Sequence, residues 1–427
     1  MASSIAVIGA GITGVTTAYK LNALGYDVTV FDRASHAGME TSFANGGQLS
    51  ASNAEVWNHP STFLKGIKWM LRKDAPLLVH PTPSWHKLAW MAEFAAAARN
   101  YRENTVATAR LAIAAREHLV AMAAAEGVDF DLVKRGILHV YESRSEFEHG
   151  EKVNALLREG GLDRRAVTPE EIHVIEPAIQ GRFHGGFFTE SDFTGDIHKY
   201  SRGLGDACAR RGVVFRYDAE IRRLDAAKGV NVEWRGGGES HMQRFDAVVV
   251  CAGTQSRRFA AQLGDRVNVY PVKGYSVTVN LDDEASRAAA PWVSILDDKA
   301  KIVTSRLGDD RLRIAGTAEF AGENRDIRMA RIRPLVDWCR HRFPGTSTAS
   351  VVPWAGLRPM MPNMMPRVGA GKRSGVFYNT GHGHLGWTLC GITAEMVANA
   401  VAAADRRTAV PAGRIQPEAV PGLVRSA

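Results

Sequence analysis

The sequence predicts an α/β fold built on a buried parallel sheet, and three short stretches of chain predict it. Each is an apolar run that ends in glycine, at residues 5–8, 247–250 and 376–380. The first is the most informative. Ile5-Ala6-Val7-Ile8 has the pattern of a strand buried on both faces. It enters Gly9-Ala10-Gly11-Ile12-Thr13-Gly14, then the helix-compatible Val15–Leu24, then a second strand, Asp27–Phe31, ending at Asp32. Strand, glycine turn, helix, strand and acid in this order form the Rossmann-like context that a dinucleotide fingerprint requires. Gly9 allows the tight turn, Gly11 lets backbone approach a pyrophosphate, and Gly14 lets helix pack closely on strand. The N–H groups of Ile12 and Thr13 open the helix, whose positive end suits phosphate. Asp32 is placed to accept from adenosine ribose hydroxyls. Its charge opposes a 2′-phosphate and so argues against NADP, an exclusion that Arg33 beside it weakens only slightly.

The second stretch, Ala247–Val250, runs into Cys251-Ala252-Gly253-Thr254, small residues that let backbone pass close to a flat ligand. Gly212–Phe215 and, after a turn, Ala219–Ile221 precede it and are expected to continue the same parallel sheet. The nucleotide domain is therefore expected to be discontinuous. The third stretch, Val376–Thr380, enters Gly381-His382-Gly383-His384-Leu385-Gly386-Trp387-Thr388 and a helix-compatible run to about Ala404. No strand with a terminal acid follows, so this is not a second dinucleotide domain. A helix N-terminus there suits the electron-rich N1–C2=O edge of a flavin. That feature shifts the expected cofactor from NAD to FAD.

The bulk properties set bounds. A chain of 427 residues, 45% hydrophobic and 23% charged, is long enough to bury an ample core in two domains. The first strand begins too early for a signal peptide, and no apolar run reaches a membrane span, which leads us to expect a cytoplasmic protein. Cys208, Cys251, Cys339 and Cys390 are widely spaced, against a disulfide framework or a zinc site. The formal net charge of +8 permits an anionic partner, yet no basic run interleaved with aromatics marks a nucleic-acid surface.

Six blocks in order carry a resemblance to the FAD-dependent D-amino acid dehydrogenases, within the D-amino acid oxidase and glycine oxidase superfamily. They are the N-terminal fingerprint, Glu40-Thr41-Ser42-Phe43-Ala44-Asn45-Gly46-Gly47-Gln48, Gly195–Lys199, Tyr270–Ser276, Trp354–Pro359, and Gly381–Thr388. The resemblance covers nearly the whole chain. It implies a discontinuous FAD-binding domain from residues 1–55, 190–265 and 350–405. A substrate domain on a largely antiparallel sheet would come from 56–189 and 266–349, with the Phe63–Gly127 helices on top and 406–427 as an irregular tail. It further implies that Ser42–Gln48 lies along the flavin, with Thr41 also in the cofactor-binding set, that Gly381–Thr388 cradles its pyrimidine end, and that Arg358 grips the substrate carboxylate. Relatives commonly read Arg-Pro-Met-Thr-Pro-Asp-Gly after that arginine. Here Arg358-Pro359-Met360-Met361-Pro362-Asn363-Met364-Met365 leaves the substrate's identity open. No cysteine lies near Arg358, so non-covalent FAD is expected.

Arg358 is a sensible carboxylate clamp on chemical grounds too, because a planar guanidinium binds bidentately; a structural ion pair is its other reading. Tyr275 offers either a hydroxyl to that carboxylate or a wall to the pocket, and Lys273 beside it a contact with flavin or solvent. His382 and His384 lack further metal ligands and are expected to support the flavin through backbone. Cys251 and Cys390 read as inert core thiols. Trp57 and His59 either cover the site or pack.

The expected reaction is oxidative deamination of D-amino acids to 2-oxo acids and ammonia, with electrons passed to a quinone or another acceptor. The same scaffold acting on D-proline, hydroxy-D-proline or sarcosine, as dehydrogenase or oxidase, is the nearest alternative. A tRNA-binding flavoprotein is the alternative of another class. Phe63–Lys73 is basic and amphipathic, with Trp85, Trp90, Met91 and Phe94 close behind. It either packs on the core or lies on the cytoplasmic face of an inner membrane, as the resemblance implies.

Overall fold

A computed structural model of the chain describes residues 3–59, 77–80, 84–227 and 229–409. The Phe63–Lys73 stretch and residues 410–427 lie outside these.

The fingerprint strand Ser4–Ile8 is the centre of a six-stranded sheet. Its neighbours are Asp27–Phe31 on one side and Ala247–Val250 on the other, both parallel to it. Val214–Arg216 continues the sheet beyond Asp27–Phe31 and Val376–Thr380 beyond Ala247–Val250, again in parallel. Arg367–Ala370 closes one edge antiparallel. The alternation of side chains along a strand explains the layers. Ile5 and Val7 project into one cluster, with the helices Ile12–Ala23, Ile197–Arg210 and Gly386–Ala409. Ala6 and Ile8 project into the other, against Ile221, Leu224, Val230, Trp234 and Phe245. All four are essentially inaccessible to solvent, which accounts for the uninterrupted apolar run.

The expectation for Ala219–Ile221 is corrected. Glu220–Ala227, Gly229–Gly236 and Glu239–Phe245 form a separate three-stranded antiparallel sheet covering that second face. Only Val214–Arg216 joins the parallel sheet.

The second large sheet is largely antiparallel. Its order is Val351–Met360, Tyr270–Asn280, Arg311–Phe320, Ile302–Leu307, Ser294–Asp297, Ile137–Tyr141, Gly185–Thr189 and Arg165–Val167, with Leu77–Val79 added alongside Arg311–Phe320. One internal pair, Ser294–Asp297 with Ile137–Tyr141, is parallel. Val351–Met360 falls within the stretch assigned above to the nucleotide domain, yet it is the edge strand here, paired with Tyr270–Asn280 throughout. The Gly195–Lys199 block proves to be a helix cap: Asp196 accepts from the N–H groups of His198 and Lys199 at 2.8 and 3.1 Å. Its other oxygen receives Arg311 of the second sheet at 2.8 Å, which ties the two sheets together.

Two further expectations change. The C-terminal helix runs to Ala409, past the predicted end near Ala404. Residues 383–406 are long and apolar enough by composition to cross a membrane, contrary to the reading of the sequence. In the fold, however, Trp387, Cys390, Val397, Ala398 and Val401 are buried against the first helix and Tyr101–Glu126, the packing of a core helix. Of the aromatic group near the amphipathic stretch, Trp90 is buried and stacks on Phe94, and Met91 packs beside them. Trp85 is 88% exposed.

Candidate functional site

A cavity of about 500 Å³ runs from the carboxyl end of the fingerprint strand to the face of the antiparallel sheet. At its first end Gly9 adopts φ 107°, and a Cβ there would stand 2.7 Å from the Cys251 carbonyl oxygen. A Cβ on Gly14 would stand 1.8 Å from the Gly9 carbonyl oxygen, so helix and turn approach as closely as the chain allows. Gly11 differs: its missing Cβ would meet only Ser42 Oγ, at 3.5 Å, which leaves the helix end open to the cavity. Ile12 N donates to Ser42 Oγ at 3.0 Å, and Thr13 also lines the space. Asp32 closes this end, accepting from Ala10 N at 2.6 Å and Ala34 N at 2.8 Å. Burial pushes its carboxyl up, against the pull of those two N–H groups. Arg33 pairs with Glu40 at 2.6 Å on the rim. Cys251, Ala252 and Gly253 form the adjoining wall. The Cys251 thiol is pushed up to about 12 by burial, and that of Cys390 is raised by the same cause.

The middle of the cavity lies between two segments. On one side, Thr41 Oγ1 donates to the Leu357 carbonyl at 2.8 Å, and Asn45 Oδ1 accepts from Gly47 N at 2.9 Å. Gly46 and Gly47 press against Val303 and Ser305, and Gln48 donates to Ser294 Oγ at 2.7 Å. On the other side lie Gly381 to Thr388. Thr388 Oγ1 accepts from Ser50 N at 3.1 Å, which joins the two segments. His382 bonds Thr393 Oγ1 at 3.0 Å, and His384 bonds the Asn53 carbonyl at 3.2 Å. Burial pulls His382 down to about 3; His384 falls to about 4, by burial with a smaller push from Arg358. Both rings are neutral at ordinary pH. Trp57 stacks on His384 with centroids 4.8 Å apart, so it forms part of the wall. Leu385 and Trp387 are buried here, and Gly386 begins the last helix. Gln48 Oε1, His384 Nδ1 and Trp387 Nε1, all on lining residues, are buried without a protein partner.

Arg358 stands at the far end. It is deep in the molecule, its guanidinium donating through Nη1 to the Thr317 carbonyl at 3.0 Å. Among the described residues no carboxylate pairs with it, and burial alone pulls it down to about 10. Two features hold it there. Gly274 lies under the guanidinium, where a Cβ would come within 2.3 Å of Nη1. Thr317 takes φ 61°, a strained conformation for a β-branched residue, at a bulge in its strand. That turn aims the carbonyl at Arg358.

Tyr275 lines the cavity as wall. Its hydroxyl is committed to Glu319, at 2.7 Å, and so is not offered to a ligand. Lys273 is corrected: it reaches neither cavity nor solvent. It is wholly buried, donating to Asn324 Oδ1 at 2.7 Å with Glu319 3.6 Å away, because Glu319 is its partner across the ladder.

A polar wall on the remaining side was not foreseen from the sequence. Ser52 and His139 share a hydrogen bond of 2.9 Å. Tyr101 donates to Glu55 at 2.7 Å, and Lys301 pairs with Asp298 at 2.6 Å. Ser52 and Glu55, and Asp298 and Lys301, are each three residues apart, but the two short stretches lie far from one another and from Tyr101 and His139 in the chain, and no motif links them. Among the described residues no group of three or more His, Cys, Asp or Glu could hold a metal ion.

With this geometry in place, comparison with known proteins gives consistent results. A family profile described as FAD dependent oxidoreductase (DAO) matches residues 4–400. D-amino acid dehydrogenase 3 of Mesorhizobium japonicum is 64% identical, over 93% of this chain and 97% of its own. The D-amino acid dehydrogenase of Paramagnetospirillum magneticum is 43% identical, over 92% and 94%. Among solved structures, glycine oxidase from Geobacillus kaustophilus superposes with a TM-score of 0.72 at 20% identity, covering 94% of this chain and 95% of that one.

Proposed function

The chain belongs to the FAD dependent oxidoreductase (DAO) family, and from that premise we propose that it is a D-amino acid dehydrogenase. One observation carries this reading: a largely enclosed guanidinium, Arg358, with no carboxylate partner among the described residues, at the end of a cavity that starts in a dinucleotide fingerprint. An unpaired buried charge is costly, and a substrate carboxylate would relieve it with a short, charge-assisted pair of bonds.

The residues present fit FAD. The open helix end at Gly11 and the carboxyl of Asp32 suit pyrophosphate and ribose. Thr41 to Gln48 and Gly381 to Thr388 flank a slot whose orphaned polar atoms at Gln48, His384 and Trp387 suit the edges of the isoalloxazine. The absence of a cysteine with a reactive thiol supports non-covalent binding: all four are buried. Bound FAD supplies a two-electron acceptor for the hydride of the substrate's α carbon.

The chain's own part is orientation. Arg358 fixes the carboxylate, Thr317 and Gly274 fix Arg358, and Tyr275 bounds the space above the sheet. With the carboxylate held at two points, the α carbon is fixed in place and the substrate keeps only rotation about the bond from carboxyl to α carbon. Neutral His382 and His384 place no positive charge beside a substrate amine. The oxidised substrate is an imino acid, which water converts to a 2-oxo acid and ammonia. For the electron acceptor we propose a quinone reached from the cytoplasmic face of the inner membrane. The exposed Trp85 and half-exposed Leu88 support that location.

The test is anaerobic reduction of the purified yellow protein, followed near 450 nm (about the absorbance maximum of oxidised flavin). Bleaching by D-alanine and not by L-alanine is expected. Protein that carries FAD but is bleached by no D-amino acid would remove this function.

A further inference from the structure

The polar wall of the cavity has a feature that holding FAD and a carboxylate does not require. Lys301 stands in the turn between Ser294–Asp297 and Ile302–Leu307, where it lines the cavity with 49% of its side chain accessible. Its ammonium pairs with Asp298, which is itself 24% accessible and also lines the cavity. Ion pair and carboxylate clamp are neighbours. Ile302 pairs with Gly316 in the ladder between their strands, and the next residues along are Lys301 and Thr317. Both take left-handed backbone, at φ 54° and 61°. The Lys301 carbonyl lies 2.9 Å from where a Cβ on Gly316 would stand, so the two chains are in close contact at this point. One residue of this meeting point holds Arg358 and the other presents an ion pair.

We propose that Lys301 and Asp298 form a side-chain subsite for D-amino acids that end in a carboxamide. This rests on the reading of the cavity as a D-amino acid site and names its substrate class. An amide is the neutral group that matches an accessible Lys–Asp pair: its oxygen accepts from the ammonium while its NH2 donates to the carboxylate. An acidic or basic side chain would satisfy one partner and repel the other. An apolar side chain would strip water from both and return no hydrogen bond. Glu55, with Tyr101 donating to it, and the Ser52–His139 pair extend the hydrogen-bonding surface beyond the ion pair.

The experiment compares near-isosteric substrates on the FAD-loaded enzyme: D-asparagine against D-leucine, and D-glutamine against D-methionine, with D-alanine as reference. The expected result is a kcat/KM at least about tenfold higher for each amide than for its apolar counterpart. In the double variant Lys301→Met/Asp298→Ala, which removes both charges together, each ratio is expected to fall to about one or reverse. A wild-type enzyme that favours the apolar member of each pair, or treats both alike, overturns the subsite. So does a double variant that keeps the wild-type ratio. If that variant does not hold flavin, the wild-type ratios decide alone. Wild-type enzyme bleached by none of the five D-amino acids overturns instead the function on which the subsite rests.

Discussion

The guanidinium of Arg358 sits where burial pulls it down to about 10, with one carbonyl and, among the described residues, no carboxylate as partner. Removing it takes away an interaction whose partner charge would stay in the cavity unpaired. Losses of that kind run to about 3–5 kcal/mol. For Arg358→Ala we therefore expect kcat/KM for D-alanine to fall by at least about 100-fold, measured with a dye acceptor. Arg358→Lys keeps the charge but loses the planar fork, and recovers only part of that activity. Thr317 makes a separate prediction. Left-handed backbone costs a non-glycine residue about 1–2 kcal/mol, and glycine's extra freedom when unfolded returns about 0.5–1 of it. The Thr317 hydroxyl is buried without a partner, so no side-chain hydrogen bond is lost. Thr317→Gly is expected to raise the urea midpoint modestly, whereas a loose Arg358 would show as a higher KM. A lower midpoint would mean that the left-handed turn is not the strained point.

At the scale of elements, the glycine turn is where helix and strand are forced together. Gly14→Ala would place a Cβ 1.8 Å from the Gly9 carbonyl, and backbone on both sides leaves nothing flexible to yield. The first helix must lift off the sheet, at a cost of about 1–3 kcal/mol or more. The expected readout is purified protein with little flavin, seen as a low ratio of 450 to 280 nm absorbance, and a lower Tm. These elements were legible in the sequence because buried parallel strands need unbroken apolar runs and their turns need glycine. Ile5–Ile8, Ala247–Val250 and Val376–Thr380 carry both marks. Ala219–Ile221 misled because a meander strand packed on one face also starts with small apolar residues. Val351–Met360 misled because its pairing partner lies some eighty residues away, and sheet membership is a long-range fact. Arg358 stood out as a chemical type in a recognisable block. Thr317, Lys301 and Asp298 did not, since a left-handed threonine or an ion pair facing a cavity leaves no pattern in the chain.

Across the molecule as a whole, burial lowers five histidines among the described residues, His86, His139, His198, His382 and His384, and it lowers His139, His382 and His384 furthest. His382 is pulled down to about 3, His384 to about 4, and His139 well below its ordinary range, in each case first by burial. In the unfolded chain all three titrate near pH 6.5. Above that pH neither state binds the protons, and stability is unaffected by them. Below it the unfolded chain takes up protons that the folded protein refuses, so stability falls as pH falls, continuing down to the folded values. Each histidine contributes a slope of about 1.4 kcal/mol per pH unit once the unfolded form is fully protonated. Urea midpoints measured in saturating FAD are therefore expected to be level above pH 7 and to drop steeply between pH 6 and 4.5. Buried carboxylates that are held low, such as Glu319 and Asp196, act only at the acid end of that range and cannot mimic its onset. His382→Gln removes one titrating group, and its profile is expected to lose stability less steeply than wild type over the same window. Because His382 and His384 line the cavity, the protons that unfold the protein are also the ones its flavin slot excludes. Flavin release from the folded protein is expected only as pH falls toward the folded values of these histidines, near 4, and release that begins near pH 6.5 without loss of the fold would break the link between the two.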